Sequence, residues 1–189
     1  MSYVILNGMS KSDDFIPKVN YMISEEFQQK DFSGDTIILH DKDIKPCLGC
    51  FKCWIQIPGI CIIDDYGRET AKKMIQSDIL VYLTPITYGG YSAELKKAVD
   101  RSIGLSSPFF RIHENEIHHE MRYDKYPNLI VIGTLDKPNP DQEEIFTALV
   151  KRNVLNLFCP KYSSKVIYKD DDEVTIKKKI EESLGEVGA

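Results

Sequence analysis

Apolar residues gather in five short runs along this chain, and between the runs they recur every three or four positions. Tyr3–Leu6, Thr36–His40, Ile79–Leu83, Leu129–Gly133 and Lys165–Ile167 read as strands. The unbroken run Ile79-Leu-Val-Tyr-Leu83 suits a strand covered on both faces. Helical spacing follows in Val19, Met22, Ile23 and Phe27, in Ala71, Met74 and Ile75, and in Leu95, Ala98, Val99 and Ile103. It returns in Ile145, Leu149, Leu155 and Leu157 with Phe158, and in Ile176, Ile180 and Leu184. Start signals agree: Asp13 or Asp14 with Pro17, Asp64-Asp65, Ser92, Asp141 and the acidic run Asp170–Glu173 are natural caps. Strands alternating with helices predict a three-layer α/β sandwich, a five-stranded parallel sheet with helices on both faces, as a single domain over residues 1–189. The flavodoxin-like strand order 2-1-3-4-5 is one natural solution, and it brings the loops after the first and third strands to the switch point where ligands bind.

Those two loops carry suitable chemistry. Asn7-Gly-Met-Ser-Lys-Ser12 sets Ser10, Lys11 and Ser12 beside amides at a helix start, a phosphate-holding combination. Asp13 and Asp14 oppose an anion unless they point away, and a plain helix cap is the alternative. The other loop, Thr84-Pro85-Ile86-Thr87-Tyr88-Gly89-Gly90, has hydroxyls, amides and two glycines that let a flat ligand approach, or it is an ordinary strand-to-helix connection. Gly133-Thr134, leaving the fourth strand on the same rim, would complete the far wall. Ser106–Pro127 shows neither periodicity and reads as an irregular connection, of a length common in lids and binding loops. Within it Phe109, Phe110, Tyr123 and Tyr126 are candidates to cover a ligand, and His118 or His119 to donate a proton.

Four of the five cysteines fall at Cys47, Cys50, Cys53 and Cys61. Such spacing suits an iron–sulfur cluster better than zinc, a redox dithiol is a second reading, and small residues packed around Trp54 a third. Cys159 stands alone and reads as structural. The 189 residues carry a net charge of −5 and no basic tract, so nucleic acid lacks an electrostatic reason to bind. No apolar run approaches membrane-span length and the N-terminus lacks a leader pattern, which points to a cytoplasmic protein without membrane partners.

In order, Pro46-Cys47-x-x-Cys50-x-x-Cys53-Trp54, Gly59-x-Cys61, Asp64-Asp65, Thr84-Pro85-x-x-Tyr88-Gly89-Gly90 and Leu95-Lys96-x-x-x-Asp100-Arg101 resemble a known family. It is the NADPH-dependent FMN reductase and flavodoxin-like oxidoreductase superfamily, in the branch whose compact cysteine motif is akin to iron–sulfur flavoproteins. The resemblance spans Tyr3 to about Gly133. It implies noncovalent FMN, with the phosphate at Ser10, Lys11 and Ser12, the ring against Thr84 to Gly90, and Gly133-Thr134 on the other side. It further implies NADH or NADPH as donor, a small-molecule acceptor such as a quinone or a 4Fe–4S cluster on the four clustered cysteines, and a homodimer or higher homo-oligomer. The phosphate loop departs from the family: the usual Gly-Ser-Pro-Arg is here Gly8-Met9-Ser10-Lys11, and Asp13-Asp14 replace small polar residues. A flavodoxin-type carrier and a flavin-free binding module on the same fold are the alternatives.

Overall fold

A computed structural model describes residues 1–189. The chain runs β1 (Ser2–Asn7), α1 (Ile16–Gln29), β2 (Ser33–Ile38), a single-turn α2 (Lys52–Ile55), α3 (Tyr66–Gln76), β3 (Ile79–Pro85) and α4 (Ala93–Arg101). It continues with β4 (Ser106–His113), β5 (Glu116–Met121), β6 (Asn128–Leu135), α5 (Pro140–Asn156), β7 (Tyr162–Tyr168) and α6 (Glu173–Val187). Parallel pairing in the order β2-β1-β3-β6-β7 makes the five-stranded sheet. With β4 and β5 set aside, this is the expected order 2-1-3-4-5.

The sheet divides two cores. Leu80 and Tyr82 of β3 face a layer containing Met74 of α3, Leu95 and Ala98 of α4, and Phe146 and Val150 of α5. Ile79, Val81 and Leu83 face Val19, Ile23 and Phe27 of α1 and Ile176, Ile180 and Leu184 of α6. Side chains alternate across a strand, so a strand covered on both faces must be apolar at every position, as β3 is. No helix is long and apolar enough to cross a membrane.

Three expectations need correction. The largest concerns residues 106–127, which are not an irregular connection: β4 and β5 form an antiparallel ribbon separate from the main sheet. Glu114 and Asn115 both take left-handed backbones (φ 51° and 61°), the turn a two-residue hairpin needs. Its apolar alternation hides from a core-seeking reading because Phe110, Ile112 and Ile117 face outward and are exposed. The second strand also lies earlier than Thr36–His40, because β1 ends at Asn7 opposite Ile38 and leaves the following residues without a partner, so Leu39–Asp41 turn into a 3₁₀ helix. Finally, α5 is capped by Asn139, whose Oδ1 accepts from Gln142 N at 3.2 Å, ahead of Pro140; Asp141 lies inside the helix. Its buried stripe is Phe146, Val150 and Val154, while Ile145 turns outward.

The amino ends of the strands are fastened by Asp78, whose carboxylate accepts from Ser2 N at 2.8 Å and pairs with Lys125. Lys125 first, and then the Ser2 amide, hold its pKa down to about 2. A carboxyl depressed by folding stabilises fully above its ordinary pKa and loses that contribution as pH falls through the folded value. Asp78→Asn should therefore lower the urea midpoint at about pH 6 and converge on the native protein towards about pH 2. A gap unchanged across that range would contradict the assignment.

Candidate functional site

At the carboxyl rim of the sheet, Gly8 is the hinge between the two predicted loops. Its N–H donates to Leu83 O (2.8 Å) and its carbonyl accepts from Ser92 Oγ (2.7 Å). Ser92 in turn caps α4 through Leu95 N (3.2 Å), and its own N–H donates to Thr84 Oγ1 (3.0 Å). A Cβ on Gly8 would stand 2.6 Å from Ser92 Oγ and 2.8 Å from Leu95 Cβ, so only glycine lets the first loop approach α4 this closely. Beyond it Ser10, Lys11 and Ser12 are exposed, and their amides, with that of Asp14, are free of intrachain partners. Two residues missed from the sequence fix this loop from behind: Asn7 Oδ1 accepts from Met9 N (3.0 Å), and His40 Nδ1 donates to Met9 O (3.2 Å). Asn7 sits at the strand end, where such a side chain can turn back on the loop; His40 carried no local signal.

Asp13 resolves the conflict seen in the sequence. Its Oδ1 accepts from Phe15 N (3.1 Å) and Ile16 N (2.9 Å), so the first amides of α1 already face a carboxylate. An anion on this loop would be held by the free amides of residues 10–12 and by Lys11; the helix end is taken.

The other loop folds back as a two-residue turn. Thr87 and Gly90 exchange N–H···O bonds of 2.9 Å around Tyr88 (φ 51°) and Gly89 (φ 77°). Ile86 N donates to Thr134 O (2.9 Å) and Gly89 N to Gln142 Oε1 (3.3 Å). Of the amides from Ile86 to Gly90, Tyr88 N–H alone lacks an intrachain acceptor, and the Tyr88 ring is 93% exposed. Gly89 is required by α5, since a Cβ there would lie 2.6 Å from Ile145 Cγ2. Gly133 and Thr134 are buried inside β6, and Ile86 and Phe146 crowd the Cβ position of Gly133. They support the turn from beneath. Ser10, Lys11, Ser12 and Tyr88 all stand exposed, so this side of the rim forms a shelf. Free amides, hydroxyls and Lys11 at one end and an unpaired N–H on an exposed turn at the other fit FMN lying across such a shelf.

The cysteine loop hangs on a buried ion pair. Arg101, at the end of α4, forks onto Asp65 with two bonds of 2.8 Å and also donates to Lys45 O (2.8 Å) and Ile63 O (3.2 Å). Asp65 caps α3 through Gly67 N and accepts from Lys45 N (2.8 Å). Both ends of the loop thus meet at one point. Burial raises the Asp65 pKa, but Arg101 and the two amides outweigh it and leave the carboxyl below its ordinary value. Trp54 Nε1 donates to Ile103 O and Ser106 O (3.1 Å each), which turns Cys53 inward, while Cys50 lies exposed in the turn between Gly49 and Phe51.

All five cysteines are free thiols. Burial pushes the Cys53 thiol up, and Cys61, Cys47 and Cys50 push the same way, which disfavours Cys53 as an attacking thiolate. No three His, Cys, Asp or Glu side chains gather closely enough to hold a metal ion, so the loop thiols as placed form no ligand set. Cys159 is buried and its pKa is pushed up to about 12, consistent with a packed, unreactive thiol.

The residues expected to cover a ligand lie elsewhere. The β4–β5 ribbon leads into Asn128, the amino end of β6, on the rim opposite the two loops. Tyr126 is buried with its hydroxyl on Leu105 O (2.6 Å), His118 is held by Glu116 and Asn156, and His119 stacks on Phe110 and meets Trp54 at a tilt.

A doubly wound parallel sheet with a free-amide loop and a tight turn at its switch point defines the flavodoxin-like class. Within that class, the NADPH-dependent FMN reductase family matches residues 1–111, and the chain belongs to this family. Among curated relatives, an iron–sulfur flavoprotein of Methanosarcina thermophila is 28% identical over 107 residues, covering 57% of this chain and 55% of the relative. An iron–sulfur flavoprotein of Methanocaldococcus jannaschii is 40% identical over 87 residues, covering 46% and 42%. The chain thus spans about half the length of the curated relatives it matches. Among solved structures, the NAD(P)H:quinone oxidoreductase from Methanothermobacter marburgensis superposes with a TM-score of 0.69 at 15% identity, covering 97% of this chain and 95% of that one; the likeness is one of fold.

Asp65→Ala leaves the Arg101 guanidinium buried and unpaired, and should cost about 3–5 kcal/mol by urea denaturation and open residues 45–63 to limited proteolysis. Replacing both partners with leucine should recover part of that loss. A single variant as stable as the native protein would remove Arg101–Asp65 from its anchoring role.

Proposed function

We propose that the chain is an FMN-dependent NAD(P)H oxidoreductase that passes electrons to a small acceptor of the quinone type, working as a homodimer or higher homo-oligomer. The observation that carries this reading is the pairing, at one switch point and inside the family-matched residues, of a loop whose amides have no intrachain acceptors with an exposed turn. In this reading Lys11 and the amides of Ser10 to Ser12 hold the phosphate, with the two serine hydroxyls, 3.3 Å apart, as further donors. Tyr88 N–H meets the polar edge of the ring, and the Thr87–Gly90 bridge keeps that donor in place. Bound FMN supplies the redox chemistry; the chain supplies position and fixed dipoles.

Lys11 and Ser12 are exposed, so the double variant Lys11→Ala/Ser12→Ala should melt like the native protein while FMN affinity falls roughly 10–100-fold, the loss of charge-assisted hydrogen bonds. Retained affinity would refute the phosphate assignment. Anaerobic mixing of the yellow protein with NADPH or NADH should bleach the flavin band directly. A flavodoxin-type carrier would keep its colour, and a flavin-free module would have none. Light scattering reads the oligomer, and a monomeric mass would end that part of the proposal.

A 4Fe–4S cluster on Cys47, Cys50, Cys53 and Cys61 is a second reading, favoured by four free thiols in one loop and by the relatives' description as iron–sulfur flavoproteins. It requires the loop to rearrange, because the thiols do not converge. Anaerobically prepared protein should then carry iron and sulfide that Cys50→Ala loses while keeping FMN. Iron-free protein would dispose of it.

A further inference from the structure

The main cavity of the molecule lies away from the flavin loops. The β4–β5 ribbon and the second half of α5 border a cleft of about 780 Å³, within the range of small-molecule sites. Phe158 and Pro160 of its wall lead into Tyr162, where β7 starts, so it sits at the amino rim of the sheet.

Its charges are uneven. Arg152 is occupied, its guanidinium forked onto Glu116 at 3.0 and 2.6 Å. Glu114, at the ribbon's turn, is the one carboxylate in the wall. Lys151 stands exposed at the mouth, and Arg111 lies 4.8 Å over the Phe158 ring with its Nε buried and without an acceptor. Nε itself is shielded, so a ligand would meet the terminal N–H groups, which have no intrachain acceptor, and a stacked guanidinium presents that edge to a planar oxyanion. Phe158 keeps its place under Arg111 with a left-handed backbone (φ 54°), a strained conformation for an aromatic residue. The rest of the wall is largely apolar and includes Met121, Val154 and Leu155.

We propose that this cavity binds a small organic anion: a carboxylate or phosphate head group on Arg111 and Lys151, and a flat apolar body against Phe158, Met121 and Tyr162. The site is separate from the flavin loops and does not depend on them.

The test is calorimetric titration of the whole protein with 2-naphthoate and with 2-naphthyl phosphate, with and without one equivalent of FMN. One saturable site is expected for at least one probe, unchanged by FMN, and the tighter probe identifies the head group. Arg111→Met should weaken it about tenfold or more and Lys151→Gln severalfold, while uncharged 2-naphthalenemethanol binds at least about tenfold less tightly. Absence of saturable binding by either probe, displacement by FMN, or equal affinity for the uncharged analogue would overturn the proposal. Lys151 is exposed, so Lys151→Gln serves as the second variant if Arg111→Met does not fold; affinity unchanged in every variant that folds would overturn it as well.

Discussion

The bidentate pair between Arg101 and Asp65 governs how the least regular stretch of the molecule, residues 42–65, is held. Its two side chains are almost wholly shielded, at 1% and 4% exposure, so the contact depends on geometry, with each charge given several hydrogen bonds. Burial alone would make such a pair a liability. Here the same guanidinium closes two chain segments, at Lys45 and Ile63, onto the end of α4, while the carboxylate caps α3. Gly67 has to be glycine-sized for this to happen, since a Cβ would lie 2.9 Å from Asp65 Oδ1 and 3.0 Å from the guanidinium carbon. The loop bearing four cysteines therefore has fixed ends and a variable middle.

The main sheet could be read from the chain because its signal is local. An unbroken apolar run such as Ile79–Leu83 has few other homes, and caps such as Ser92 and Asp65 declare helix starts by residue type. Errors arose where the deciding contact was distant. The limit of β2 was set by where β1 ran out of partners, and the buried stripe of α5 by the space above Gly133 that Phe146 fills. The ribbon escaped because its apolar side faces solvent, reversing the usual meaning of alternation.

The candidate site was legible in part. Its loops were located by topology and by residue type, yet the condition of their amides was not. Asp13 turning onto α1, the mutual bond of Thr87 and Gly90, and the reach of Gln142 to Gly89 all depend on backbone paths that no spacing rule specifies. Gly89 also answers to a distant contact, since Ile145 of α5 fills the space a side chain there would need, and Gly133 leaves room for Ile86 and Phe146. Conversely, Asn7 and His40, silent in the sequence, brace the loop that the serines and Lys11 decorate.

The ribbon enters after Leu105 and returns by Tyr126, and the Tyr126 hydroxyl stitches those two points together across 2.6 Å. With its base closed in this way, the hairpin is an appendage whose length and tip can vary without transmitting a register change to β6. Such a stitched hairpin is a natural place for a chain to vary: the carboxyl rim can stay constant while the opposite rim is re-tailored, one hairpin at a time, to new molecules.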